Sequence, residues 1–173
     1  MNATRRGGPS FGPIGRTAPT RWLFAFVAVA SFGALAAALV SQYAYGMDPC
    51  PWCVLERLIF VAMGVFALLG LVWRRPAGGR VAATFASLLA LAGFAAAMWQ
   101  HLVAAKSASC NLTLADRIMT ATQLDKLVPS VFEARASCAD AAVNLAGIPY
   151  DFLAAAFFAL CAIAMVRALR LTA

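Results

Sequence analysis

Four long apolar runs divide this chain and decide what it can fold into. Trp22 to Val40 is unbroken for about 19 residues, and runs of similar length occupy Val54–Trp73, Val81–Trp99 and Ile148–Val166. A helix rises about 1.5 Å per residue, so each run is long enough to cross the roughly 30 Å hydrocarbon core of a bilayer. Inside lipid every backbone amide needs an internal partner, and the helix provides one for each residue. Composition agrees, with 63% hydrophobic and only 12% charged residues, where a soluble domain carries about 25% charged. The sequence therefore reads as an all-α membrane protein, a four-transmembrane-helix bundle with spans at about 22–42, 54–73, 81–101 and 148–166.

The connections differ in length. Residues 43–53 form a short first outer loop, residues 74–80 a tight turn on the opposite side, and residues 104–147 a long second outer loop. Residues 1–21 are rich in Gly, Pro, Thr and Arg and read as a disordered basic tail ahead of the 22–170 membrane domain. The first run exceeds the roughly 7–15 apolar residues of a signal peptide, so it is expected to remain as a span. Gln42, Tyr43 and Tyr45 mark its exit into the interface, where tyrosine settles. Gly46, Asp48, Pro49 and Pro51 read as helix breakers. Within the long loop, Leu124 to Phe132 forms a short amphipathic patch, suited either to the membrane surface or to the end of the bundle.

Charge orients the bundle. With four spans, the tail, the 74–80 turn and the C-terminus share one side and carry nine arginines and no acid. The other side carries five cations and seven acids. Counting Lys and Arg alone, nine against five puts both termini in the cytoplasm. The net charge of +7 is thus a topology signal, and nucleic-acid binding is not expected.

That orientation gives the cysteines their meaning. Cys50, Cys53, Cys110 and Cys138 fall on the outer side, where disulfides persist. Cys161 lies within the fourth span and reads as a small buried hydrophobe. Cys50-Pro51-Trp52-Cys53 opens the second span, and Arg57 follows Cys53 by about one helical turn, on the same face. A helix start near Cys53 supplies free N–H groups and a partial positive charge, both of which favour the reactive thiolate. Two cysteine pairs admit three connectivities. Pairing 50 with 53 and 110 with 138 sets a fixed couple beside a mobile one, and exchange requires only that their sulfurs meet. A zinc site would need all four thiolates exposed on an oxidising side, and the second pair lacks C-x-x-C spacing, so no metal is expected.

Electrons reaching Cys53 need a small acceptor accessible from the interface. No Gly-rich nucleotide loop and no C-x-x-C-H haem motif is present, and a lipid quinone fits. Arg57 could hold a reduced quinone oxygen or the Cys53 thiolate. His101, at the exit of the third span, could donate a hydrogen bond or a proton, or could simply pack at the interface.

At this point the chain resembles the DsbB family, the bacterial inner-membrane thiol:quinone oxidoreductases. The resemblance covers most of residues 22–170. It rests on the four spans, on Pro49-Cys50-Pro51-Trp52-Cys53 with Glu56-Arg57, on Cys110 and Cys138 in the second outer loop, and on Leu124-Asp125-Lys126-Leu127-Val128-Pro129. It implies a protein of the bacterial inner membrane that reoxidises DsbA, a periplasmic thiol oxidase, and feeds the quinone pool and respiratory chain with either ubiquinone or menaquinone. It also implies roles: Cys110 forms the mixed disulfide with the partner, Cys138 exchanges with Cys50, and Cys53 passes electrons to a quinone beside Arg57. Glu56 stands where the family carries an acid, with no role assigned. Two rival readings remain: a vitamin-K-epoxide-reductase-like enzyme, where the C-x-x-C is expected near the end of the bundle, and a non-enzymatic scaffold braced by disulfides.

Overall fold

The computed structural model describes residues 18–73, 76–106, 113–145 and 147–172. Most of the expected basic tail, Arg74, Arg75 and Cys110 lie outside these residues. Four long helices, α1 (Ala18–Tyr45), α2 (Pro51–Val72), α3 (Pro76–Leu102) and α7 (Tyr150–Thr172), form the body. The short helices α4 (Leu114–Thr122), α5 (Leu124–Leu127) and α6 (Pro129–Phe132) and a two-stranded turn, β1 (Asn144–Leu145) with β2 (Ile148–Pro149), fill the segment between α3 and α7. All four long helices have the length and apolarity to cross a membrane. Together with the closed ring of contacts α1–α2–α3–α7–α1, this makes the chain a four-helix membrane protein. The outward faces stay apolar: Phe26, Val29, Leu88, Leu91, Leu160 and Ile163 are exposed, as lipid-facing positions are.

Aromatic rings seated on glycines close the core. Phe60 of α2 and Phe158 of α7 stack with centroids 4.1 Å apart. The Phe158 ring lies directly on Gly93 of α3, where an added Cβ would overlap it. Gly70 receives Phe24 of α1 in the same way. Small residues permit this approach, and packing of this kind holds helices together where lipid offers no hydrophobic drive.

The helix ends differ from the sequence expectation in instructive ways. Gly46 stops α1 with φ +67, its N–H bonded to Gln42 O at 3.1 Å while Met47 N–H reaches Ser41 O at 3.2 Å. Residues 46–50 separate α1 from α2, within the expected loop at 43–53. Pro51, expected to break a helix, starts one: in the first turn its missing N–H has no partner to lose. The long loop is not an open strand of chain. Thr113 and Asp116 form a reciprocal cap on α4. Met119 of α4 and Phe132 of α6 bury against Val54 of α2, so the amphipathic patch packs partly on the bundle end while Leu127 and Val128 stay exposed.

The glycine contacts make a direct prediction. Gly93→Ala is expected to cost about 1–3 kcal/mol through overpacking, seen as a lower melting temperature in detergent. Gly33→Ala, which meets nothing within 4 Å, is expected to melt like the parent. Equal melting of all three proteins would remove the ring-on-glycine account.

Candidate functional site

The Cys-Pro-Trp-Cys stretch is a helix start in the literal sense. Cys50 is the N-cap of α2, extended at φ −84 and ψ 169, and its carbonyl accepts the first helical bond from Val54 N–H at 3.0 Å. Its sulfur accepts from the Cys53 N–H at 3.3 Å, taking the place of a capping oxygen. This geometry turns both side chains the same way, and the two Sγ atoms stand 2.6 Å apart as thiols. Trp52 between them is buried against Trp99 of α3, with ring centroids 6.5 Å apart.

The second loop delivers a third sulfur. The N–H groups of Arg135 and Ala136 both donate to the Pro49 carbonyl, at 2.9 and 3.3 Å. Tyr43 Oη donates to Ser130 O at 2.6 Å. A Ser137–Asp140 turn follows, with Asp140 N–H donating to Ser137 Oγ at 3.2 Å. Between them Cys138 packs on the bundle core, against the cluster that includes Cys50. The neighbouring Cys50 thiol, then the Trp52 N–H, hold the Cys138 thiol below its ordinary range against the opposing effect of burial. Cys50 is pushed up, by Cys138 first, then by Cys53 and by burial. The same surroundings therefore favour charge on Cys138 over charge on Cys50.

Below the sulfurs lies a cavity of about 470 Å³ between α1 and α7. Its walls are small or apolar: Gly33, Ala34, Ala37 and Ala38 on α1 face Leu153, Ala154 and Phe157 on α7. Cys53, Glu56, Arg57 and Gln100 line it among its polar groups, with Ser41, Asp48 and Tyr150. Cys53 and Arg57 share one helix face, as their spacing requires, and both reach this space.

Arg57 is only 5% exposed. Its Nη1 donates to Gln42 Oε1 at 2.7 Å and to Val131 O at 2.9 Å, and its Nη2 donates to Ala38 O at 3.3 Å. Among the described residues no carboxylate pairs with it. A buried guanidinium compensated only by neutral acceptors favours an anion nearby. Glu56 is buried with Oε1 unpartnered. Gln100 donates from Nε2 to Cys53 Sγ at 3.3 Å and to Asp151 Oδ1 at 2.7 Å.

The expected site residues fall into three groups. Cys50, Cys53, Cys138 and Arg57 are brought together; Cys110 lies outside the described residues. His101 does not line the cavity; its Nδ1 lies 3.4 Å from Asp151 Oδ2 and its ring packs on Phe152, 4.4 Å between centroids. Cys161 is fully buried in the core. Gln42, Gln100 and Asp151 were not foreseen, and Gln42 is a buried partner of Arg57 rather than an interfacial exit. The available signal was their polarity at the ends of apolar runs.

The chain matches the family described as "Disulfide bond formation protein DsbB" over residues 20–168. Among curated proteins, "Disulfide bond formation protein B 2" of Burkholderia lata is 31% identical over 157 residues, covering 88% of this chain and 90% of that protein. "Disulfide bond formation protein B" of Herminiimonas arsenicoxydans is 30% identical over 146 residues, covering 84% and 91%. The protein of that name from Ralstonia nicotianae is 33% identical over 129 residues, covering 70% and 76%. No solved structure matches at a comparable level of significance.

The charge distribution among the sulfurs predicts an order of reaction. When the reduced protein is treated with limiting iodoacetamide at neutral pH, Cys138 is expected to be modified several-fold faster than Cys50, read by peptide mass spectrometry. Faster modification of Cys50 would contradict it.

Proposed function

This chain belongs to the DsbB family of disulfide bond formation proteins, and from that premise we propose that it is a membrane protein-disulfide:quinone oxidoreductase. It reoxidises a DsbA-like periplasmic thiol oxidase and sustains disulfide formation in exported proteins. It lies in the bacterial inner membrane with both termini cytoplasmic, a placement supported by nine arginines and no acid on the side opposite the cysteines. The observation that carries the reading is the line of sulfurs: Cys138 packed on the cluster that holds Cys50, Cys50 beside Cys53, and Cys53 at the wall of a mostly apolar cavity.

The chemistry follows from this order. A thiolate of the partner attacks Cys110 of a Cys110–Cys138 disulfide; that S–S bond breaks and its electron pair leaves on Cys138. The partner's second thiol, losing its proton, then attacks the mixed disulfide and departs oxidised, leaving Cys110 reduced. The Cys138 thiolate attacks Cys50 of a Cys50–Cys53 disulfide; the Cys138–Cys50 bond forms and the Cys50–Cys53 bond breaks, with the electron pair going to Cys53. Cys110, giving up its proton, restores the Cys110–Cys138 disulfide and frees Cys50. Two electrons have then moved from the partner dithiol to the Cys50–Cys53 pair.

A quinone, ubiquinone or menaquinone, supplies the two-electron, two-proton sink for that pair when bound. The residues fit such a head group: the volume lies within the usual 300–1,000 Å³ range for small-molecule sites, the walls are apolar, and the unpartnered Oε1 atoms of Glu56 and Gln100 belong to residues that line it. Arg57 keeps two N–H groups beyond the three bonds it makes, enough to hold a reduced oxygen or the Cys53 thiolate.

The purified protein is expected to oxidise a reduced DsbA-type partner only when quinone is supplied. Replacing Cys50 and Cys53 with Ala should abolish turnover; a surviving rate would end the relay. Arg57→Ala is expected to raise KM for quinone about tenfold or more, on the scale of a lost charge-assisted hydrogen bond. An unchanged KM would take Arg57 out of the acceptor site.

A further inference from the structure

We propose that Asp151 is a positioning residue that aims the Gln100 amide at Cys53, and that Gln100 is thereby a catalytic residue stabilising Cys53 as the leaving sulfur of the exchange. The proposal rests on the relay reading above in one respect: Cys53 must be the sulfur that takes the electron pair.

The geometry is specific. Gln100 lies in the last turn of α3, and its Nε2 is 2.7 Å from Asp151 Oδ1 and 3.3 Å from Cys53 Sγ. A side-chain amide has two N–H donors on one atom and a carbonyl on the other, and its orientation is set by its partners. A carboxylate accepts only. Asp151 Oδ1 therefore selects the orientation in which the NH2 group, and not the carbonyl, sits over the sulfur. The consequence is visible on the far side of the amide, where Gln100 Oε1 is buried with no partner. Turned the other way, the carbonyl would face two electron-rich atoms.

Asp151 is itself held. It lies in the first turn of α7, where a carboxylate is favoured by the free N–H groups. Its second oxygen, Oδ2, is 3.4 Å from His101 Nδ1, and His101 packs on Phe152. The carboxylate is 5% exposed and His101 is 28% exposed, so the row His101–Asp151–Gln100–Cys53 runs from a partly wet ring to a reacting sulfur. A donor fixed by a carboxylate, fixed in turn by a third group, is how directional hydrogen bonds are preorganised.

The step it serves is the attack of Cys138 on Cys50. As the Cys138–Cys50 bond forms and the Cys50–Cys53 bond breaks, the electron pair departs on Cys53. A better-stabilised leaving thiolate departs faster. Gln100 Nε2 needs no movement to receive that charge, because it already stands over the sulfur.

The test uses reduced, quinone-free protein in detergent and reads the alkylation rate of Cys53 at neutral pH. Asp151→Leu and Gln100→Leu are each expected to slow it by about tenfold, the scale of one hydrogen bond to a charged group. Asp151→Asn keeps a carbonyl acceptor for Gln100 and is expected to stay within about twofold of the parent, a rescue that loss of packing alone would not produce. The double variant should be no slower than either single Leu variant, since the two residues act as a unit. Additive losses, or a parent-like rate in Asp151→Leu, would overturn the proposal. Should Asp151→Leu fail to fold, the comparison of Asp151→Asn with Gln100→Leu decides: equal rates would overturn it. A separate arm reads the relay itself in a Cys110→Ser/Cys138→Ser background, where a thiolate ultraviolet absorbance of the reduced protein that survives the further change Cys53→Ser would remove Cys53 as the charge-bearing sulfur whatever Asp151 does.

Discussion

A guanidinium buried at the end of an apolar bundle has to find acceptors, and the way Arg57 finds them organises everything around it. Its three bonds go to a side chain and a backbone carbonyl of α1 and to a carbonyl of α6. One side chain therefore joins the first helix, the second helix and the long loop. Because the partners are neutral, the positive charge is not cancelled, and it faces the same cavity as Cys53 and Glu56. Burial of an isolated charge is costly. An arrangement that retains one unneutralised, beside the Cys53 sulfur, favours an anion in that space at a cost in stability.

The sulfurs are organised by equally simple means. A cysteine in the N-cap position uses its own sulfur to cap the helix, which brings Cys53 beside it without any loop insertion. The Pro49 carbonyl, one residue earlier, accepts from two loop N–H groups, and that contact sets the approach of Cys138. The donor arrangement around Cys50 leaves Cys138 as the more readily charged of the two. Cys138, Cys50 and Cys53 then lie in order, ending at Gln100 and the cavity wall. Among the described residues of the loop, Met119, Leu124, Val131 and Phe132 of its short helices pack in one cluster with Val54 of α2.

Much of this was legible in the sequence because it is local. Apolar runs announce spans, and a four-residue spacing places Cys53 and Arg57 on one face. Boundaries were less legible. Pro51 reads as a breaker when considered alone and as a helix start only once Cys50 is seen to cap, and Gly46 ends α1 later than the tyrosines suggest. The polar partners were not legible, since Gln42 meets Arg57 across a turn and Asp151 meets Gln100 across fifty-one positions. No periodicity reports such pairs. His101 shows the same limit: its place at the span exit pointed to the acceptor, whereas the fold sets it one residue back, against Asp151.

The direct measurement is of the link between the two loops. A variant carrying Cys53→Ala and Cys110→Ala leaves Cys50 and Cys138 to pair with each other or not at all. Isolated under oxidising conditions and mapped by non-reducing peptide mass spectrometry, it is predicted to contain a Cys50–Cys138 disulfide in most molecules. Recovery of both as free thiols, or of Cys138 joined only to other chains, would contradict the arrangement of sulfurs on which this account depends.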